Sequence, residues 1–416
     1  MEAMMPEPRK PIISIKKTPP TIMVPRKATL SITKGDVLNV LKDLESNSFD
    51  GSLQDPPYAL TTIIKRYGKA NSKPPKTDKG SKGAFGRIAR GFMNKEWDGQ
   101  LPSVEVFQQL LRVCKPGSTL LSFGHPRTHH RLMCNMEDAG WDIRDTVLWL
   151  HGKGLPKSRD IWNDIDRILK AERNGFADAR WLGYGTALKP AYEPIIVAMK
   201  PFEQSFATNA LKWGVAGINI VGSRVNGRFP ANIILDDEAG RLLDMQGPTS
   251  KGGTYRKSGS RALRHKGKLL YGGGIGGGEQ NAPDNYGDAG GPSRFYYCSQ
   301  SSRYERGAGL EGFPIKRPDT RPESSMGFFK EHGIQPQENH HPAVKPLDLC
   351  RYLADLILPP ERESPRRLLV PYAGVASEMI GAMQAGWDEI LGIEMDQEYI
   401  DIGHARIAYW RKGMFR

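Results

Sequence analysis

The stretch S-F-D-G-S-L-Q-D-P-P-Y, residues 48–58, runs a short apolar segment directly into a stiff polar turn. Its first seven residues read as one strand, and Asp55-Pro56-Pro57 ends it because proline can neither donate to a ladder nor leave φ near −65°. Downstream, V-E-V-F-Q-Q-L-L-R-V (104–113) has helical spacing and stops at the Lys115-Pro116-Gly117 turn, after which S-T-L-L-S-F-G (118–124) reads as the next strand. A helix through Asn135–Asp138 follows, then strands at I-R-D-T-V-L-W-L (143–150) and E-P-I-I-V-A-M (193–199). Strands alternating with helices predict a parallel α/β sheet.

The same texture returns late in the chain. R-R-L-L-V-P-Y (366–372), a helix through Ala382, E-I-L-G-I-E-M (389–395) and a last helix from near Asp396 form a second α/β piece. Between them the composition changes. Residues 271–278 read Y-G-G-G-I-G-G-G, and Lys251 to Lys268 holds seven Lys or Arg and no Asp or Glu, too little apolar surface to build a core. The predicted division is a basic flexible tail at 1–27, one half of a sheet domain at 28–200, a Gly-rich basic insert at 201–335, and the other half at 336–416. The two halves make one discontinuous domain with an inserted module.

The 416 residues are 38% hydrophobic and 25% charged, ordinary values for a water-soluble chain, and nothing approaches the roughly 20 apolar residues of a membrane span. The N-terminus lacks the apolar stretch of a secretory signal. Four separated cysteines (Cys114, Cys134, Cys298, Cys350) show no zinc or disulfide spacing, so no metal is expected and a cytoplasmic setting fits. The formal charge of +13 points to a polyanion such as nucleic acid, the plainer reading being a basic, solubilising surface.

D-P-P-Y at 55–58 carries the chemistry. As structure alone it is a polar turn. As a site it suits the exocyclic NH2 of a nucleobase, a poor nucleophile because its lone pair is delocalised into the ring. Two acceptors gripping both N–H bonds favour a pyramidal nitrogen. The Asp55 carboxylate supplies one and the Pro56 carbonyl the other, Pro57 stiffens the turn, and Tyr58 offers a face on which an extruded base stacks.

With these residues in view, the sequence resembles the beta-class DNA amino-methyltransferases. K-E-W-D (95–98) with L-P-S (101–103), R-V-C-K-P-G-S-T-L-L-S-F-G (112–124), N-H-H-P-A-V-K-P (339–346), L-L-V-P-Y-A-G-V-A-S-E (368–378) and G-I-E-M-D-Q-E-Y (392–399) match the family's segments in its permuted order: catalytic loop, target recognition, cofactor loop. The resemblance implies a class I S-adenosylmethionine-dependent methyltransferase sheet, α/β and Rossmann-like, with an inserted target-recognition region. Its two functional loops leave neighbouring strands at a topological switch point.

The resemblance also implies roles. Asp55, Pro56, Pro57 and Tyr58 are catalytic. Asp36, Lys345, Pro371, Tyr372, Gly374 and Glu394 bind S-adenosylmethionine, with Asp36 at the adenine, Lys345 by the methionine end and Glu394 on the ribose hydroxyls. His341 has a structural role. From charge rather than from the resemblance, Arg256, Lys257, Arg261, Arg264, Lys266 and Lys268 are candidates for phosphate contacts to double-stranded DNA, the plainer reading being a solvated charged loop, and the Gly- and Lys-rich segment from about 65 to 90 is a candidate for closing over the flipped base. The cofactor loop departs from the family's D-P-F-x-G-S-G-T-T: Val370 replaces Asp, Val375-Ala376 replaces Ser-Gly, and Ser377-Glu378 replaces the two threonines. Val370 cannot hydrogen-bond the cofactor's methionine end. The expected activity is adenine N6 methylation in a bacterial or phage-infected cell. Cytosine N4 methylation and an inactive DNA-binding protein stay open, as do a homodimer and a restriction partner.

Overall fold

The computed structural model describes residues 27–59, 100–152, 154, 158–172, 175–251, 289–299, 303–315, 338–341 and 343–413. Strand β1 (Thr29–Lys34) leads through helix α1 (Val37–Asp43) to β2 (Phe49–Gln54), which ends at Asp55. Then come α2 (Val104–Val113), β3 (Cys114–Phe123), α3 (His129–Asp138) and β4 (Asp142–Leu150). After α4 (Ile161–Glu172) the chain returns as β5 (Tyr192–Met199), followed by α5 (Phe206–Trp213), β6 (Ile233–Asp236) and α6 (Asp237–Gln246). A two-stranded pairing of β7 (Ser250–Lys251) with β8 (Ala289–Gly290) precedes β9 (Tyr297–Ser299) and α7 (Arg303–Gly307). The last part is α8 (Leu347–Leu356), β10 (Arg367–Pro371), α9 (Ser377–Ala385), β11 (Glu389–Glu394) and α10 (Gln397–Gly413).

One nine-stranded sheet has the order β1-β11-β10-β2-β3-β5-β4-β6-β9. Its central strands are buried on both faces; β10 accordingly reads as an apolar run, whereas β2 (FDGSLQ) buries Asp50, Ser52 and Gln54 as well. Side chains alternate between the faces: Leu368 and Val370 join Met379 and Ile380 of α9 and Leu353 of α8, while Leu369 joins Val37 and Leu41 of α1 and Phe107 and Leu110 of α2. The helices after β10 and β2 therefore lie on opposite faces, and β10 and β2 are adjacent and parallel. The sheet winds outward in both directions from that pair, so its switch-point crevice opens between Pro371 and Gln54. At the other end of β2, the buried Asp50 carboxylate accepts hydrogen bonds from Lys115 Nζ at 2.6 Å and from the Arg367 N–H at 2.7 Å, tying β2 to both neighbours.

The α/β class and the adjacency of the two loop-bearing strands are as expected, but the sheet is mixed. β5 runs antiparallel to both β3 and β4. Its start, Tyr192-Glu193, thus shares the rim where the other strands end. β3 begins at Cys114 rather than after the Pro-Gly turn: Cys114 pairs with Phe49, the register breaks before Gly51, and Gly117, at φ +77°, absorbs the bend while donating its N–H to Lys200 O at 2.9 Å. The described parts of 201–335 add β6 and β9 to the same sheet. Helix α8 and the β1–α1 unit were not singled out in the sequence. Among the described residues no helix is long and apolar enough to cross a membrane.

Candidate active site

All the described residues singled out for chemistry sit on one rim of the sheet, where β1, β11, β10, β2, β3 and β4 end and β5 begins. Asp55 leaves β2 at the crevice with its side chain 12% exposed. Its Oδ1 accepts the Tyr58 hydroxyl at 2.6 Å, and its Oδ2 lies 2.8 Å from Lys345 Nζ. Lys345 Nζ also donates to the Tyr58 hydroxyl at 3.0 Å and lies 3.2 Å from Glu193 Oε2. The ammonium stands over the Phe123 ring, 4.7 Å from its centroid, a cation–π contact in a dry setting. Thr128 Oγ1 donates to the Tyr58 carbonyl at 2.8 Å, and the His125 ring lies 5.9 Å from that of Tyr58. The D-P-P-Y turn is therefore held from β3, α3 and the segment before α8.

Burial works against charge throughout this cluster. It raises the Asp55 carboxyl above its ordinary range, with the Lys345 ammonium pulling the other way. Burial likewise disfavours a charged Lys345, but Asp55 and Glu193 outweigh it and hold the ammonium well above its usual pKa. The Tyr58 hydroxyl is pushed up by burial and then by Asp55, so it stays a donor. Glu193 continues outward to His151, whose Nε2 lies 3.7 Å from Glu193 Oε1 and whose pKa burial lowers. A carboxylate has about four acceptor positions and Asp55 uses two, so room remains for an amino group's N–H.

Across the crevice the loop after β10 takes a tight path. Tyr372, Gly374 and Ala376 have φ of +57°, +50° and +65°. Two of the three carry a Cβ, a left-handed geometry that costs about 1–2 kcal/mol per such residue and is held by its surroundings. Those surroundings are explicit. The Gly374 N–H donates to Glu394 Oε2 at 2.8 Å, and Glu394 Oε1 accepts from the Met395 and Asp396 N–H groups, both at 2.9 Å. The fully buried Arg406 of α10 donates to the Val375 carbonyl and, at 3.1 Å, to Ser377 Oγ. A Cβ on Gly374 would come within 3.2 Å of His341 Nε2. His341 Nδ1 accepts the Ala343 N–H, and burial together with Arg306 and Lys345 pushes the ring's pKa down to about 3, so it is neutral.

Of the sequence-derived candidates, the structure brings Asp55, Tyr58 and Lys345 into contact, and places Pro371, Tyr372, Gly374 and Glu394 at the neighbouring strand ends. Lys345 lies on the Asp55 carboxylate. Asp36 caps α1, accepting the Asn39 N–H at 3.2 Å, and its charge adds to burial in raising the Tyr372 hydroxyl. Glu394 is anchored by three main-chain N–H groups, which leaves one acceptor position. The six basic residues between Arg256 and Lys268, the segment from 65 to 90, K-E-W-D and the tail to residue 26 lie outside the described residues. Glu193 and Arg406 were missed, and Glu378 entered the sequence reading only as a departure from the family's second threonine. Glu193 left a trace as an acid opening an otherwise apolar strand; a charge on a helix, as at 406, is too common to stand out. Among the described residues no group of three His, Cys, Asp or Glu is placed to hold a metal ion.

No protein-family model matches the chain. The type II methyltransferase M.HindIII of Haemophilus influenzae is 24% identical over 217 residues, which is 45% of this chain and 64% of that protein. The match thus spans less than two thirds of its relative, and the resemblance to DNA amino-methyltransferases has a counterpart in a curated sequence. Among solved structures, the PvuII DNA methyltransferase (cytosine-N4-specific) is similar at a TM-score of 0.42 and 11% identity, covering 93% of each chain. A putative DNA modification methylase of Thermus thermophilus, TTHA0409, complexed with S-adenosyl-L-methionine, is similar at 0.38 and 12% identity, covering 92% of this chain and 96% of that one.

Proposed function

We propose that the chain is an S-adenosylmethionine-dependent DNA methyltransferase acting on the exocyclic amino group of a base turned out of the duplex, with adenine N6 as its target. The carrying observation is the placement of Asp55-Pro56-Pro57-Tyr58 at the end of β2, beside the left-handed loop of the adjacent parallel strand β10. The likeness to a type II methyltransferase supports the same reading.

In this reading Asp55 and the Pro56 carbonyl accept the two amino N–H bonds and hold the nitrogen lone pair toward the cofactor side, and Tyr58 stacks on the base. Bound S-adenosylmethionine supplies an electrophilic methyl group. The residues present fit it: Gly374 lets the chain turn tightly beneath it, Glu394 keeps one acceptor position for a ribose hydroxyl, and Asp36 and Tyr372 flank the adenine side. Pro371 ends the strand below, and Lys345 keeps the Asp55 carboxylate in place until the base arrives. Positioning and fixed charge in a dry crevice provide the rate. The basic residues of 251–268 supply phosphate contacts to double-stranded DNA, and the 201–335 region reads the target. The setting is the cytoplasm of a bacterium or phage-infected cell.

Long-read sequencing of DNA from cells expressing the protein tests this. N6-methyladenine at a fixed short sequence is the expected result. N4-methylcytosine would reassign the base, and unmodified DNA despite DNA binding in vitro would favour the inactive reading that Val370 and Ala376 in the cofactor loop suggest.

A further inference from the structure

Two surfaces of the crevice rim have no part in the chemistry above. The first is the turn from β3 into α3. Residues 125–131 read H-P-R-T-H-H-R, with no acid among them, and Arg127, His130 and Arg131 are exposed. This turn is bonded to the catalytic loop. Thr128 sits at the N-cap of α3 but does not cap it; its hydroxyl holds the Tyr58 carbonyl instead. The second surface is the arm between β4 and β5, which leaves the rim after Leu150 and returns at Tyr192. It exposes Ile168, Phe176, Trp181, Leu182, Tyr184 and Leu188, Phe176 by 80% and Leu188 by 92%, and so many large apolar side chains in one run mark a contact surface. Lys189 Nζ donates to Gly152 O at 2.6 Å and fixes the arm to the rim. Three of its acids are paired within it: Asp164 with Arg159 and Arg167, Asp166 with Lys170, and Asp178 with Arg180. The arm therefore meets a polyanion with an apolar face and little net repulsion. The two surfaces adjoin because β3 and β5 are neighbours, and the Gly124 N–H donates to Pro194 O at 2.9 Å.

We propose that this rim seats the DNA duplex beside the flipped base: Arg127 and Arg131 take the phosphates flanking the target nucleotide, and the arm lays Trp181 and Tyr184 on the bases next to the gap. The inference rests on the DNA-methyltransferase reading above and adds a contact surface outside 201–335. A nucleotide extruded onto Tyr58 brings its own phosphates with it, and the cations nearest that residue's main chain are those of the 125–131 turn. Aromatic side chains fill or wedge an opened base stack without reading sequence, and the arm borders that turn.

Fluorescence anisotropy of the full chain with a labelled random-sequence duplex, over a series of salt concentrations, tests it. Arg127→Gln/Arg131→Gln is expected to weaken binding at least tenfold at low salt. It should also flatten the slope of log affinity against log salt by about 2, near 0.9 for each lost phosphate contact. Arg127→Lys/Arg131→Lys keeps the charges and should restore the slope. Trp181→Ala/Tyr184→Ala should weaken binding about tenfold with the slope unchanged, because stacking releases no counterions. Lys42→Gln/Lys212→Gln removes two charges at the far end of the sheet and should leave affinity and slope at wild-type values. Unchanged thermal unfolding reports an intact fold in each variant. Wild-type binding in either rim variant, or an equal loss from the Lys42 and Lys212 pair, would overturn the inference while leaving the DNA-methyltransferase reading standing. So would a loss in Trp181→Ala/Tyr184→Ala that tracks dissociation of a dimer in sedimentation, since a second copy would then cover the arm. A wild-type chain that binds no duplex and methylates no DNA would overturn that reading, and this inference with it.

Discussion

Replacing Lys345 by Met removes the one cation in contact with both Asp55 and Glu193 among the described residues, while keeping most of the side-chain volume. Nζ lies 2.8 Å from Asp55 Oδ2 and 3.2 Å from Glu193 Oε2, so at an effective dielectric of about 20 the two attractions are worth roughly 6 and roughly 5 kcal/mol. Deleting the ammonium also recovers several kcal/mol of its burial cost, and the net loss on breaking such a buried pair is about 3–5 kcal/mol. The loss should depend on pH with a definite sign. In the variant, Asp55 keeps its burial and loses the ammonium that opposed it, so its folded pKa moves further above the unfolded value of about 3.9. A group with a raised folded pKa contributes stability below its unfolded pKa and loses it as pH rises through the folded one. The deficit of Lys345→Met should therefore be smallest near pH 5 and grow toward pH 8. Urea unfolding at pH 5, 6.5 and 8 measures it, and Asp55→Asn/Lys345→Met closes a double-mutant cycle with an expected coupling of about 2–3 kcal/mol. A deficit under about 1 kcal/mol at pH 8, or one independent of pH, would refute a buried ion cluster at this site.

Asp55→Ala is expected to lower methyl transfer by at least about a hundredfold while S-adenosylhomocysteine affinity changes less than threefold; retained turnover in a radiolabelled-methyl assay would remove Asp55 from the mechanism. Gly374→Ala forces a Cβ into a left-handed conformation against His341, so a loss of about 1–3 kcal/mol in unfolding free energy should accompany weaker cofactor binding. Arg406→Met strands the acceptors of Val375, Ser377 and Glu305, and about 2–4 kcal/mol of destabilisation is expected by denaturant titration.

The limits of the strands along the chain were legible in the sequence: β2, β4, β10 and β11 lie within a residue or two of their expected positions, β10 and β11 because burial writes itself as apolar runs and β2 because the two prolines end it. At Cys114–Gly117 a bulge and a positive-φ glycine do the bending inside a continuous strand, and there the Pro-Gly signal reads as a boundary. The reversal of β5 left no local trace, since strand direction depends on which neighbour a strand pairs with.

The site divides the same way. Asp55 to Tyr58 stood out as a candidate by residue type and by following a strand, whereas Gly374 and Glu394 were picked out only through the family resemblance. That Lys345 sits on Asp55, 287 positions from its other partner Tyr58, that Glu193 shares its charge, and that Arg406 braces the loop 372–376 are decisions of the tertiary structure. Hydrogen-bonded periodicity is a local property and is encoded along the chain. Electrostatic coupling depends on distance through a dry interior, and only the order of strands in the sheet fixes that distance.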